Sequence, residues 1–176
     1  MGMLPAGIEI CTLSEIGCAE ELPENQTTIE GNALEKARFI AERFSINCFA
    51  DDTGLEVEAL GGAPGVDTAH YAGPERSATL NMALLLRNLE NKPNRNAAFK
   101  TVFALIWEGE MYSFEGRIQG AIATTPRGSN GFGYDPVFIP EGFTQTFAEL
   151  PPETKNKLSH RALATKQLVD FLRKIA

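Results

Sequence analysis

Ala97-Ala98-Phe99-Lys100-Thr101-Val102-Phe103-Ala104-Leu105-Ile106-Trp107 is the longest strand-like run in the chain. Phe99, Thr101, Phe103, Leu105 and Trp107 fall on one face of an extended segment, and Ala98, Val102, Ala104 and Ile106 on the other. Apolar groups on both faces mark a strand covered from both sides, hence a central one. Glu108-Gly109-Glu110 then reads as a tight turn, and Met111 to Ala123 returns as the hairpin partner.

Working outward from this hairpin, helical and strand-like segments interleave. Thr27 followed by Glu30 fits a capping box opening a helix at Thr27 or Thr28, with Ile29, Ala33, Ala37, Ile40, Ala41 and Phe44 as its stripe. Ile46 to Ala50 looks like a short buried strand that stops at Asp51-Asp52-Thr53-Gly54. Ser77 can cap a second helix carrying Met82, Leu85, Leu86 and Leu89 on one side. Gly61-Gly62-Ala63-Pro64-Gly65 and Thr124 to Gly133 are loops by composition, and Pro136 to Ile139 is a short strand. A last helix runs from about Ser159, with Ala164, Leu168, Phe171, Leu172 and Ile175 as its stripe. Gly7 to Leu13 alternates weakly and reads as one more strand. The mixed order predicts an α/β protein with hairpins in its sheet.

Composition narrows the functions. The chain has 176 residues, 43% hydrophobic and 22% charged, which suits one globular domain over residues 1–176. The net charge of −7, with scattered basic residues, argues against a nucleic-acid partner, which needs a basic stripe. No apolar run is long enough to span a membrane, and no signal peptide is visible at the start. Cys11, Cys18 and Cys48, an odd set without a CxxC, read as free thiols of a cytoplasmic protein. An acidic protein that binds phosphates needs a metal ion or local cations and backbone amides.

Three stretches carry candidate chemistry. Asp51-Asp52 at the end of a strand suits Mg²⁺ held by carboxylates and substrate phosphates; read alone, it also suits a polar turn. Gly128-Ser129-Asn130-Gly131-Phe132-Gly133-Tyr134-Asp135-Pro136 combines exposed backbone amides, two aromatic faces for stacking a base, and a carboxylate that can accept from a ring N–H; a flexible hairpin with core aromatics is the plainer reading. Lys155 and Ser159-His160-Arg161 bring donors and positive charge to a helix start. Taken singly, Glu24, Asn32 and Lys36 read as solvated surface residues.

Together the blocks Asn32-Ala33-x-x-Lys36-Ala37, Ala50-Asp51-Asp52-Thr53-Gly54-Leu55, Leu60-Gly61-Gly62-Ala63-Pro64-Gly65, Gly131-Phe132-Gly133-Tyr134-Asp135-Pro136 and Ser159-His160-Arg161 resemble, in order, the inosine triphosphate pyrophosphatase family. The resemblance implies an elongated, two-lobed α/β fold with a long twisted mixed β-sheet flanked by helices, a cleft between the lobes, and pairing as a homodimer. It implies Mg²⁺-dependent hydrolysis of non-standard purine nucleoside triphosphates (ITP, dITP, XTP) to the monophosphate and pyrophosphate. By motif position it makes Asp52 the catalytic acid and a metal ligand, and Glu24 the second metal-side carboxylate. Thr53, Phe132, Gly133, Tyr134, Asp135, Lys155, His160 and Arg161 become substrate contacts.

Three departures from that family stand in the sequence. Its opening strand and Thr-x-Asn-x-x-Lys phosphate loop have no counterpart here. Asp67 stands where an aromatic is usual, and His70 where a basic residue is usual. A catalytically impaired nucleotide-binding remnant is therefore the alternative expectation, and loss of a central strand would open two edges inside the sheet.

Overall fold

The structure, a computed structural model, describes residues 4–5 and 7–175. Five strands form one sheet in the order β2-β1-β3-β4-β5: β1 (Cys48–Val57), β2 (Pro64–Gly65), β3 (Asn96–Trp107), β4 (Glu110–Ile122) and β5 (Phe138–Pro140). Among the described residues four α-helices accompany it: α1 (Ile29–Phe44), α2 (Ala78–Asn88), α3 (Pro152–Leu158) and α4 (His160–Ile175). The central hairpin expected from sequence is β3–β4, paired from Asn96↔Ala121 to Trp107↔Glu110. Its two turn residues, Glu108 and Gly109, both have positive φ (51° and 83°), the conformation that matches strand twist in a two-residue hairpin.

The α/β class and the helix-flanked sheet stand as expected, but the sheet is not mixed. Every pairing among the described strands is antiparallel. The short hairpin reverses β4 against β3, and the connection through α2 brings β3 back against β1. The described strands also pair without an internal gap, so the two inner edges expected from a lost central strand are not found among them. Gly7 to Leu13 forms no strand. Thr12 instead turns the chain locally, its N–H and hydroxyl both donating to Glu15 Oε2 at 2.7 Å, and Ile10 and Leu13 are left exposed.

Both faces of β3 are covered, as its sequence requires. Val102 and Ala104 pack with Ile29, Ala33 and Ala37 of α1 on one face. Phe103 and Leu105 pack with Ala164, Leu168 and Leu172 of α4 on the other. The start of β3 belongs to a further cluster, where Ala97 and Phe99 meet Leu55, Leu85, Phe138 and Phe147. The apolar core thus divides along β3, and between its parts, at the paired Thr53 and Thr101, the sheet carries polar groups.

Local chemistry sets the helix ends. The cap of α1 is Thr28, whose Oγ1 accepts from Gly31 N at 3.0 Å, one residue later than the expected Thr27–Glu30 box. Ser77 caps α2 as expected, and Leu85, with Leu89 just past the helix end, is buried in the core. The last helical region is two helices rather than one. Ser159 is extended (φ −67°, ψ 152°) and separates α3 from α4, while its Oγ accepts from Ala162 N at 3.2 Å.

Candidate active site

β1 does not stop at Asp51. It continues to Val57 because Asp51, Asp52, Thr53 and Gly54 all pair with β3, opposite Phe103, Val102, Thr101 and Lys100. The two aspartates are therefore mid-strand, and strand alternation sends them to opposite faces. Asp52 lies on the face covered by α1, whereas Asp51 and Thr53 lie on the face covered by α4.

On the α1 face, Lys36 and Asn32 project from one helix side at i and i+4. Both are buried, at 7% and 4% exposure, and not the solvated residues they resemble singly. The Lys36 ammonium donates to Glu24 Oε1 at 2.7 Å and to Asp52 Oδ1 at 3.2 Å. Asn32 Nδ2 stands 3.4 Å from Asp52 Oδ2, while Asn32 Oδ1 accepts from Gln26 N at 2.9 Å and ties down the loop that carries Glu24. Burial pushes the Asp52 carboxyl above its ordinary range; Lys36 pulls it back, and the nearby Glu24 charge adds to the rise.

On the α4 face, Arg161 Nη2 forms an ion pair with Asp51 Oδ2 at 3.0 Å and donates to Thr53 Oγ1 at 3.4 Å. Thr53 Oγ1 lies 2.6 Å from Thr101 Oγ1. His160 is buried and stacks on Phe99, with ring centroids 4.7 Å apart and planes 15° apart. Burial, helped by the Arg161 and Lys155 charges, lowers its pKa to about 4, so it is neutral at pH 7. Its Nδ1 is a buried polar atom without a hydrogen-bond partner among the described residues. The first turn of α4 reaches this position because it lies directly on β4 at Gly116. A Cβ there would stand 1.9 Å from His160 O and 2.6 Å from Ala164 N.

The glycine-rich loop adds an aromatic face and an anchored carboxylate. Asp135 is 3% exposed and accepts from Phe132 N at 2.7 Å and from Lys155 Nζ at 2.5 Å. Gly131 makes this turn possible: its φ is 80°, and a Cβ would fall 2.0 Å from Asp135 Oδ2. Phe132 is 74% exposed, with the Lys155 ammonium 4.7 Å from its ring centroid. Tyr134 differs from the expectation of a second stacking face. Its ring is in the core, its hydroxyl donates to Thr68 O at 3.0 Å, and burial raises its pKa. Alternation of large residues along a loop gives no sign of which ring is swallowed by the core. Gly133, at φ 59°, is the bend between the exposed ring and the buried one.

The sequence-predicted residues thus assemble into two groups, Glu24 with Asp52 on one face, and Thr53, Phe132, Asp135, Lys155, His160 and Arg161 on the side of α3 and α4. Sequence reading underrated Lys36 and Asn32, whose polarity at i, i+4 beside an apolar stripe was the available signal. It also missed Thr101, which inside an apolar strand looks like ordinary filling. Among the described residues no three of His, Cys, Asp and Glu gather closely enough to hold a metal by themselves. Glu24 and Asp52 do converge on a single cation position, filled here by the Lys36 ammonium. Two hard oxygen donors of that kind fit Mg²⁺, which takes one or two carboxylates and completes its shell with water and substrate phosphates.

The model of the Ham1 family matches residues 2–171, and the chain belongs to that family. It is 53% identical over 170 residues to a dITP/XTP pyrophosphatase of Flavobacterium johnsoniae, covering 97% of this chain and 88% of that one. It is 56% identical over 171 residues to a dITP/XTP pyrophosphatase of Porphyromonas gingivalis, with the same coverage of 97% and 88%. Among solved structures, the Staphylococcus aureus Ham1 protein superposes with a TM-score of 0.90 at 38% identity, covering 93% of this chain and 86% of that one. The nucleoside-triphosphatase / dITP/XTP pyrophosphatase of Mycobacterium abscessus does so with a TM-score of 0.83 at 44% identity, covering 96% and 87%.

Proposed function

We propose that this protein hydrolyses non-standard purine nucleoside triphosphates (dITP, ITP and XTP) to the monophosphate and pyrophosphate, and so cleanses the nucleotide pool. The observation that carries this reading is that neighbouring residues of β1 join a carboxylate–lysine cluster (Glu24, Lys36, Asp52) on one face to Arg161 of α4 on the other. The names of the relatives at more than half identity supply the substrate class.

In this reading the phosphates lie along the edge of β1 that β2 leaves unpaired, reaching Asp52 on the α1 side and Thr53 on the α4 side, and the base lies on Phe132. Asp52 takes a proton from a water that attacks the α-phosphorus; the α–β bond breaks and pyrophosphate leaves. A carboxyl whose pKa burial has raised is a stronger base than an ordinary aspartate. Lys36 holds that carboxylate in place from one side and Asn32 from the other. Glu24 and Asp52 would hold Mg²⁺, which when bound neutralises the phosphate oxygens and orients the leaving group. Lys155, fixed by Asp135, stands over the Phe132 ring and adds positive charge beside the base. Hypoxanthine and xanthine present an O6 acceptor, and adenine an amino donor. Arg161, which can only donate, and neutral His160, which keeps one N–H, favour the acceptor.

With it we propose a homodimer, the state the family resemblance implies, and a cytoplasmic location. The unpaired thiols of Cys11, Cys18 and Cys48 suit a reducing compartment. The test is product analysis with Mg²⁺ on ITP, XTP, ATP and GTP. Pyrophosphate from ITP and XTP, with ATP and GTP slow, is expected; orthophosphate as first product, or equal rates on all four, would refute it.

A further inference from the structure

Thr101 is fully buried on the α4 face of β3, between Phe99 and Phe103 in sequence alternation. Valine has the same shape and would fill this place without a hydroxyl to desolvate. The hydroxyl has one side-chain partner among the described residues, Thr53 Oγ1, at 2.6 Å. Arg161 has no acceptor atom, so its contact with Thr53 Oγ1 at 3.4 Å is a donation to the threonine oxygen. Were Thr53 to give its own proton to Thr101, the Thr101 proton would be left in the core with no acceptor, at the cost of a buried unsatisfied group. The balanced arrangement is the reverse. Thr101 donates to Thr53, Arg161 donates to Thr53, both lone pairs of Thr53 Oγ1 are used, and the Thr53 proton turns outward from the sheet.

We infer that Thr101 is a positioning residue that turns the Thr53 hydroxyl into a dedicated donor, aimed at an anionic phosphate oxygen of the bound nucleotide. This rests on the nucleotide reading of the site given above. Thr101 touches no substrate. It acts by removing the rotational choice of a hydroxyl that otherwise accepts as readily as it donates. Across the sheet, Thr53 pairs with Thr101, and Thr101 with Gly116, where α4 makes its closest approach. One row therefore fixes both the hydroxyl and the helix that carries Arg161.

The experiment uses the whole chain with Thr101→Val, Thr101→Ser and Thr101→Ala, assayed by pyrophosphate release from ITP, XTP and dITP, with thermal unfolding of each variant. Serine keeps the hydroxyl and loses a methyl; valine keeps the shape and loses the hydroxyl. Valine should lower kcat/KM about 10-fold, the lower end for a hydrogen bond to a charged group. The loss should appear in KM and be equal for the three substrates, because the hydroxyl addresses phosphate and not base. Serine should stay close to the parent. The Thr53→Val/Thr101→Val double variant should be no worse than Thr53→Val alone. If valine does not fold, serine against alanine makes the same comparison, since they differ by one hydroxyl. Valine equal to the parent, serine as damaged as valine or alanine, or a base-dependent loss would overturn the inference. A parent chain inactive on all three substrates would instead sink the nucleotide reading itself.

Discussion

Replacing Lys36 by methionine leaves two carboxylates facing each other with no cation between them. In the parent, the ammonium stands 2.7 Å from Glu24 and 3.2 Å from Asp52, and the Lys36 and Asp52 side chains are only 9% and 14% exposed. Losing one partner of a buried pair costs about 3–5 kcal/mol, and of an exposed pair about 0–1 kcal/mol. Asp52 is near the first limit and Glu24, at 39% exposure, near the second. We therefore expect a loss of about 2–4 kcal/mol at neutral to alkaline pH, or roughly 5–10 °C in Tm for a chain of this size. The loss must depend on pH. Burial already raises the Asp52 pKa, and Lys36 is the largest opposing influence, so the variant's Asp52 rises further. The folded variant then keeps a proton that the unfolded chain has released, and its stability falls as pH rises above the ordinary carboxylate range. Denaturant or thermal unfolding of both proteins from about pH 4 to about pH 8 reads this directly: the gap should be smallest at the acid end and widen toward the alkaline end. A gap independent of pH, or no gap at about pH 8, would refute the electrostatic account of this cluster.

Asp52→Asn should lower kcat by about 10²–10⁴ while leaving stability equal or slightly improved, because a buried charge is removed; steady-state kinetics with calorimetry checks both. Phe132→Ala should raise KM for all purine triphosphates alike by the equivalent of about 1–3 kcal/mol, with unchanged Tm, since the ring is exposed. Gly116→Ala should push the first turn of α4 off β4, costing about 1–3 kcal/mol of stability and narrowing the preference for ITP over ATP as Arg161 moves; a variant of unchanged selectivity would detach base choice from the seat of that helix.

The central hairpin was legible because β3 carries apolar groups on both faces, a pattern that few alternatives satisfy. The helices α1 and α2 were legible for the same kind of reason, a stripe plus a cap. The continuation of β1 through Asp51-Asp52-Thr53-Gly54 was not, because those residues favour turns locally and only pairing with β3 holds them extended. The break at Ser159 had a signal in Pro151-Pro152, which starts α3 early, but a helix stripe reads across one extended residue without a mark. In the candidate site, the motif blocks singled out Asp52, Thr53 and Arg161, yet not their sorting onto two faces. Lys36 looks like a surface lysine until Glu24 and Asp52, distant along the chain, are brought to it. The hydroxyl of Thr101 acquires meaning only from its partner across the strand.

The placement of Asp51 and Asp52 on opposite sides of one strand has a consequence for redesign. Side chains that share no partner and lie across a sheet from each other change a protein's properties nearly independently. Arg161 and His160 belong to α4, while Lys36 belongs to α1, Glu24 to the loop before it and Asp52 to the α1 face of β1. Under the proposed function, a library built on the α4 side can therefore be screened for a new preferred base while the Glu24–Lys36–Asp52 cluster is left untouched. The two halves share the strands β1 and β3, so a register slip of β1 by a single residue would exchange the occupants of its two faces and disable both at once.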